Sequence, residues 1–158
     1  MKKSKLAVWA HIAEIIAGVA VVISLAFIIF SIRQNTAVIR AAADADMYEY
    51  IDAWQSELLS NPDLRSAWIK YRNGESLTEE EDYLVFWQIL RAVNQTETMF
   101  YRHREGLMSR DAWEKWDYGF AVLLTGMVPR DYWQAYLSVD KQEDFINYVD
   151  AIYQSQQP

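Results

Sequence analysis

Residues 15–32 form one uninterrupted apolar run, IIAGVAVVISLAFIIFSI, with no charged residue and no proline. An α-helix rises about 1.5 Å per residue, so a helix over this run is roughly 27 Å long, close to the hydrocarbon thickness of a bilayer. A helix on the surface of a soluble protein carries polar residues along one face. The run therefore predicts a transmembrane helix over residues 15–32, preceded by an N-terminal tail and interfacial turn over residues 1–14.

Two other structures remain open for this run. A cleaved signal peptide has a shorter apolar core and a small-residue cleavage site close behind it, whereas Ala41-Ala42-Ala43 lies about ten residues past the apolar end. A buried helix of a soluble protein is the second alternative. The length of the run and its lack of charge favour a retained membrane anchor over both alternatives.

The basic residues that flank the run indicate its orientation. Lys2, Lys3 and Lys5 precede it, and Arg33 and Arg40 follow it. Because Lys and Arg accumulate on the cytoplasmic side, this distribution favours a cytoplasmic N-terminus and an extracytoplasmic domain. The chain contains no cysteine, which is compatible with either side.

Small residues recur along one side of the apolar helix. Some of these small residues are seven apart, and others form small-xxx-small pairs. Both spacings allow another helix to approach closely in lipid. They predict a contact with a second copy or with another membrane subunit, although alanine and serine are also common in membrane helices. The residues concerned are Ala10, Ala13, Ala17, Ala20, Ser24 and Ser31.

The rest of the chain is acidic and rich in aromatic residues. Residues 33–158 hold 12 Lys and Arg against 21 Asp and Glu, a formal charge of −9, and 20 of the 23 aromatic residues. Such a charge disfavours nucleic acid as a partner, and anionic lipid headgroups would repel it. The aromatic residues indicate a packed core, a contact surface or both, because a disordered tail would lack them.

Helix signals cover this whole region, and no run alternates as a strand would. We predict a helical stalk over residues 33–60 and an acidic, aromatic-rich helical domain over residues 61–158. Together with the anchor they predict an all-α protein, with a transmembrane helix that continues into a helical bundle. The expected helix starts are Asn61-Pro62, Thr78 with Glu81, Ser109, Pro129 and Asp140 with Glu143, and the expected ends are Asn73-Gly74, Gly106 and Thr125-Gly126.

The residues that enzymes use for catalysis are scarce. The chain has no thiol, no glycine-rich phosphate loop and no pair of Glu-x-x-His motifs. His103 is the only histidine of the domain, and it lies between Arg102 and Arg104 at a helix C-terminus, where cations stabilise the helix dipole. We therefore predict a protein that is not an enzyme, with no catalytic residue, no metal site and no cofactor.

Two polar residues interrupt the apolar stripe of the longest helix in the domain. Asn94 and Glu97 lie in this stripe, Tyr101 is one turn after Glu97, and Trp113 and Trp116 on the next helix carry indole donors. Buried polar groups need partners, so these residues predict a polar network that sets helix register. The alternatives are a small-ligand pocket around Glu97 or a Glu97 side chain that reaches solvent.

A dense set of aromatic residues lies near the C-terminus. Helical spacing places Trp133, Tyr136 and Leu137 on one face. That face is either core or a surface for a partner protein, since Trp and Tyr are frequent anchors of interfaces.

The chain resembles a widespread group of small bacterial single-span membrane proteins. The resemblance rests on two parts of the chain. The first comprises Ala13-Glu14-Ile15-Ile16-Ala17-Gly18, Val21-Val22-Ile23-Ser24-Leu25, Ile32-Arg33-Gln34-Asn35-Thr36 and Arg40-Ala41-Ala42-Ala43. The second is the stretch from Glu97 to Leu107 followed by Trp113 and Trp116. It implies a bacterial inner-membrane protein with a helical domain, and it implies no activity, cofactor or catalytic residue. Ala37 and Val38 stand where members of the group often carry another arginine, and in such members the charge bias would point the domain inward.

The favoured function is a non-enzymatic, single-pass accessory or scaffold subunit of a membrane complex. Its expected partners are the lipid bilayer and either other membrane-protein subunits or further copies of itself. The alternative is a membrane-anchored sensory module that binds a small ligand near Glu97.

Overall fold

The computed structural model describes the backbone of residues 2–155 and the side chains of residues 7–155. This part of the chain is helical and contains no strand, so the all-α prediction is confirmed. The helices are α1 (Lys2–Ser60), α2 (Pro62–Arg72), α3 (Glu79–Arg104), α4 (Arg110–Met127), α5 (Arg130–Tyr132), a π-helix (Trp133–Leu137) and α6 (Glu143–Ser155).

The chain divides into two compact units, Met1–Ile39 and Arg40–Pro158. The first unit is the N-terminal part of α1. It contains an 18-residue window with a mean hydropathy of 2.9, none of which is buried. This helix is therefore long and apolar enough to span a membrane. Helix already begins at Lys2, so residues 2–14 continue the apolar helix where we expected a tail and a turn. The side chains of Lys2, Lys3 and Lys5, on which the predicted orientation rests, lie outside the described residues.

The helix starts of the second unit follow from side chains that cap free backbone N–H groups. The Asn61 side chain accepts hydrogen bonds from the backbone of Asp63 and Leu64, which confirms the start of α2. Thr78 and Glu81 form the predicted reciprocal capping box at the start of α3. Ser109 accepts from the backbone N–H of Ala112 and caps α4.

Within the second unit, two helix boundaries differ from the prediction. Gly126 does not end α4, which continues to Met127; among the described residues, only Gly74 and Gly106 adopt positive φ. A glycine ends a helix most readily in that left-handed conformation, which Gly126 does not adopt. The last helix begins at Glu143 rather than after Asp140, because the Lys141 N–H donates to the Ser138 carbonyl in a turn and the first bonds of the helix are accepted by the Gln142 carbonyl.

The predicted stalk belongs in large part to the second unit, which begins at Arg40 rather than at residue 61. The reason is an apolar face on the C-terminal part of α1. Met47 on this face is fully buried and packs with Met99, Met108, Ala112 and Trp116 of α3, α4 and the loop between them. A second, larger cluster joins α2, α3, α4, the π-helix and α6; its largest fully buried side chains are Ile89, Val93, Leu124, Trp133, Leu137 and Phe145.

Candidate functional site

A lysine before α6 supplies the partner that the polar residues of α3 require. The Lys141 side chain is only 4% exposed, and its Nζ lies 3.2 Å from Glu97 Oε2 and 3.1 Å from Asp140 Oδ1. The same Nζ donates a hydrogen bond to Asn94 Oδ1 at 2.7 Å. The structure therefore brings Asn94 and Glu97 together in one network, around a cation that the sequence reasoning did not select.

This network is a partly buried charge cluster whose members satisfy one another. An ammonium group removed from water needs opposite charge and acceptors close by, and the Glu97 and Asp140 carboxylates and the Asn94 amide provide them. The sequence contained one signal for it, because a carboxylate within an apolar stripe demands a cationic or donor partner. Lys141 lay within a capping-box pattern, which marks a helix start and gives no information on tertiary contacts.

Tyr101 does not complete the network as expected. Its hydroxyl is buried and has no hydrogen-bond partner among the described residues, so it forms no bond with Glu97 although the two lie one turn apart. Burial raises the pKa of the Tyr101 phenol, and the nearby charges of Glu97 and Asp144 raise it further. The Glu97 carboxylate is bound to Lys141 instead, because an ammonium is a stronger partner for a carboxylate than a phenol.

The two tryptophans of α4 also find other partners than Glu97. Trp116 Nε1 donates to the buried Thr96 Oγ1 at 3.1 Å, and the Trp116 ring meets Tyr50 edge-on at 5.5 Å. Trp113 stacks on the His103 ring with centroids 4.9 Å apart and planes 9° apart. Sequence reasoning missed Thr96, since a threonine in mid-helix rarely signals more than a bond to its own helix.

The aromatic face near the C-terminus is divided between core and surface. Trp133 is fully buried and meets Phe145 edge-on at 6.2 Å, whereas Tyr136 is 63% exposed. The alternative that Trp133 belongs to a surface for a partner protein is therefore wrong. The reason is the π-helix, in which the Ser138 N–H donates to the Trp133 carbonyl five residues back. Its wider turn aligns Leu137 with Trp133 and moves Tyr136 off that face.

An apolar groove lies beside α4, and we call it the α4 groove. It consists of two adjoining cavities of about 230 Å³ and about 720 Å³, both lined by Trp54, Gly119 and Leu123. Tyr50 and Trp116 line the smaller cavity, and α2 contributes a wall to the larger one. Sequence reasoning gave no indication of this groove, because its two sides come from helices far apart in the chain.

No protein-family model, curated protein or solved structure matches this chain. The resemblance built on Ile32-Arg33-Gln34-Asn35-Thr36 therefore stays a prediction. In the part of the chain that the structure describes, no three His, Asp or Glu side chains are grouped as metal ligands would be.

The small residues of the apolar helix are accessible in the single chain. All lie in α1; Ser31 is half-buried and the others are exposed. The Ser24 hydroxyl donates to the Ala20 carbonyl of its own helix at 2.8 Å, so its polar hydrogen has an internal partner. Near the start of the same helix, His11 Nδ1 lies 3.6 Å from Glu14 Oε2, and both side chains are exposed.

Proposed function

We propose that the protein is a non-enzymatic, single-pass accessory or scaffold subunit that binds other membrane-protein subunits or copies of itself. The main support for this proposal is the apolar helix, because its most apolar 18-residue window has no buried residue within the chain. Lipid covers part of such a surface, and the small-residue side suits a second helix.

Ala17 and Ser24 are the centre of this small-residue side. They are seven residues apart, so two turns of helix separate them along one face. The hydroxyl of Ser24 is satisfied internally, which removes the cost of placing it against an apolar partner. A neighbouring backbone can approach these positions more closely than it can approach isoleucine or phenylalanine.

The test is the native mass of the full-length protein, extracted gently from its own membranes through a C-terminal affinity tag. We expect a stoichiometric assembly with foreign subunits or with further copies. Ala17→Phe should reduce that assembly, whereas Ala26→Phe, on the opposite side of the same helix, should not. A monomer in native lipid contradicts the proposal, and equal behaviour of both variants removes the helix face from it.

The bacterial inner membrane and an extracytoplasmic domain are part of the same proposal. They rest on the charge distribution around the anchor and on the resemblance described above. The alternative function, a sensory module with a ligand at Glu97, has weaker support because Lys141 already occupies that carboxylate. If it is correct, a metabolite will raise the melting temperature of the wild type more than that of Glu97→Gln.

A further inference from the structure

We infer that the α4 groove binds an acidic amphipathic helix of a partner protein. The inference rests on the proposed accessory role and adds the chemistry of the partner to it. The surface involved lies entirely in the second unit, so it is separate from the small-residue side of the membrane helix.

The floor of the groove is one stripe of α4. Gly119, Val122, Leu123 and Gly126 all line the larger cavity, and their spacing of three, four and seven places them on one helix face. The part of α4 that lines the two cavities runs from Lys115 to Met127 and is about 18 Å long. This length matches roughly three turns of a bound helix. An amphipathic helix places its apolar face in grooves of this kind.

The two glycines of this stripe are not required by contacts within the chain. A Cβ built at Gly119 or at Gly126 meets nothing within 4 Å, and neither residue has positive φ. Glycine within a helix is less stabilising than alanine at the same position. Two such positions on the same face leave room for close approach by another backbone, which an occupying helix would use.

The rim of the groove exposes large apolar side chains. Leu59 is 72% exposed, Ile69 is 53% exposed and Val122 is 54% exposed, and all three line the larger cavity. Trp54 and Trp68 contribute aromatic walls beneath them. Contiguous apolar surface bordered by polar residues is typical of binding sites.

The charges of the groove determine which kind of helix it suits. Lys115, Arg65 and Arg72 are the charged residues that line the two cavities, and none of the described lining residues is acidic. The groove is therefore locally positive, although residues 33–158 as a whole carry a formal charge of −9. Electrostatic complementarity therefore favours acidic groups beside the apolar anchors of the partner.

A second copy of this chain is a poorer occupant. Its most amphipathic short helix is α6, which is acidic in its first turn, but the apolar residues Phe145 and Val149 of α6 are fully buried in its own core. A copy would have to unpack that core to present α6 to the groove. The partner is therefore a different protein.

The experiment places a photoreactive amino acid at Val122 of the full-length protein in intact cells of its own host. Val139, which is 77% exposed and outside the groove lining, is the matched control position. We expect a crosslink from Val122 alone, and sequencing of the crosslinked peptide should show an amphipathic helical segment with Asp or Glu beside its apolar residues. Crosslinks to lipid, to a second copy or to a basic segment, equal yields at both positions, or no crosslink at Val122 would each overturn the inference.

Four variants separate the groove from the rest of the protein. Arg65→Glu combined with Arg72→Glu, and Gly119→Leu alone, should each lower the crosslink yield about tenfold, as expected for a loss near 1.4 kcal/mol. Thr125→Leu, which lies next to the stripe but outside the lining, should leave the yield unchanged. Gly119→Ala should raise the melting temperature, which shows that the glycine is not needed for folding.

The native mass measurement distinguishes failure of this inference from failure of the accessory role. If a foreign subunit remains bound in the native assembly while Val122 gives no crosslink, the inference about the groove is wrong and the accessory role stands. If the protein assembles only with further copies of itself, the inference about the groove is wrong and the proposed function stands. If the protein is a monomer, both are wrong.

Discussion

The Lys141 ammonium lies 3.2 Å from the Glu97 carboxylate and joins the middle of α3 to the segment that precedes α6. The lysine side chain is almost fully buried, and the Asn94 amide and the Asp140 carboxylate complete its surroundings. This contact explains how a carboxylate persists within the apolar stripe of α3. It also gives Lys141, which precedes α6, a structural role.

Replacement of Lys141 by methionine should destabilise the domain. Glu97 and Asn94 would lose their donor, and we expect a cost of about 1–3 kcal/mol in the free energy of unfolding. Urea unfolding in nanodiscs, followed by tryptophan fluorescence, measures this cost. Arg110→Met is the matched control, because Arg110 and Glu114 form an exposed pair on one helix and its loss should cost far less than the loss of Lys141. Equal costs for both variants would contradict the assigned role of Lys141.

The hydrogen bond between Thr96 and Trp116 gives a second stability test. Thr96→Val keeps the side-chain shape but removes the acceptor of the Trp116 indole, so a loss of about 1–2 kcal/mol is expected. Thr98→Val serves as the control, since the Thr98 hydroxyl is exposed and bonds only to its own helix at Asn94. The indole should also become more mobile, which time-resolved fluorescence detects. No difference between the two variants would show that the bond contributes little.

Trp133 and Tyr136 should respond in opposite ways to truncation. Trp133→Ala empties a fully buried site and should cost about 3–5 kcal/mol or prevent folding. Tyr136→Ala should change stability by less than about 0.5 kcal/mol, because its ring is mainly exposed. Circular dichroism during thermal unfolding measures both. A large loss of stability in Tyr136→Ala would show that this side chain is buried in the protein in solution.

Alkaline pH should destabilise the domain partly through Tyr148. Burial raises the pKa of the Tyr148 phenol above its usual value near 10, and its hydrogen bond to Asp117 Oδ1 raises it further. Below pH of about 10 the phenol keeps its proton in both states, so the full stability is present. Above that pH the unfolded chain releases the proton while the folded chain retains it, and stability falls by up to about 1.4 kcal/mol per pH unit.

Urea unfolding of the wild type and of Tyr148→Phe between pH 9 and pH of about 12 tests this assignment. The variant starts from lower stability, because Asp117 loses its donor, but its stability should fall less steeply with pH. The wild-type and variant slopes would coincide if Tyr148 ionised equally in the folded and unfolded chains. Tyr153, whose pKa burial also raises, remains in both proteins and contributes equally to both slopes.

The absence of native cysteine makes the predicted orientation directly measurable. In intact spheroplasts, a membrane-impermeant maleimide should label Glu105→Cys, at an exposed position of the domain, and should label Ser4→Cys only after permeabilisation. The reverse pattern would place the domain in the cytoplasm. The unmodified protein is the control for background labelling.

The helix boundaries were largely predictable because their causes are local. Asn61, Thr78 and Ser109 cap backbone groups two or three residues away, and Gly106 adopts the left-handed conformation that ends α3. The prediction failed at Gly126, which does not adopt positive φ, and at Asp140, which is followed by a Lys141 N–H that donates to the Ser138 carbonyl in a turn.

The candidate site was only partly predictable. Asn94 and Glu97 were recognised as polar residues within an apolar stripe, but Lys141, which is 47 residues from Asn94, was not. Tyr101, Trp113 and Trp116 have the chemistry that the predicted network needs and yet contact other groups. Periodicity places residues on a face of a helix but does not state which residue of another helix that face meets.

The sequence by itself determined the apolar helix, the all-α class and nearly all helix starts, because each depends on residues within one or two turns. Only the tertiary structure decided that Lys141 neutralises Glu97, that Trp133 is core while Tyr136 is surface, and that an apolar groove lined by three cationic side chains lies beside α4. These features depend on which helices pack together and at what rotation. That outcome follows from the packing of the whole domain, and no local spacing encodes it.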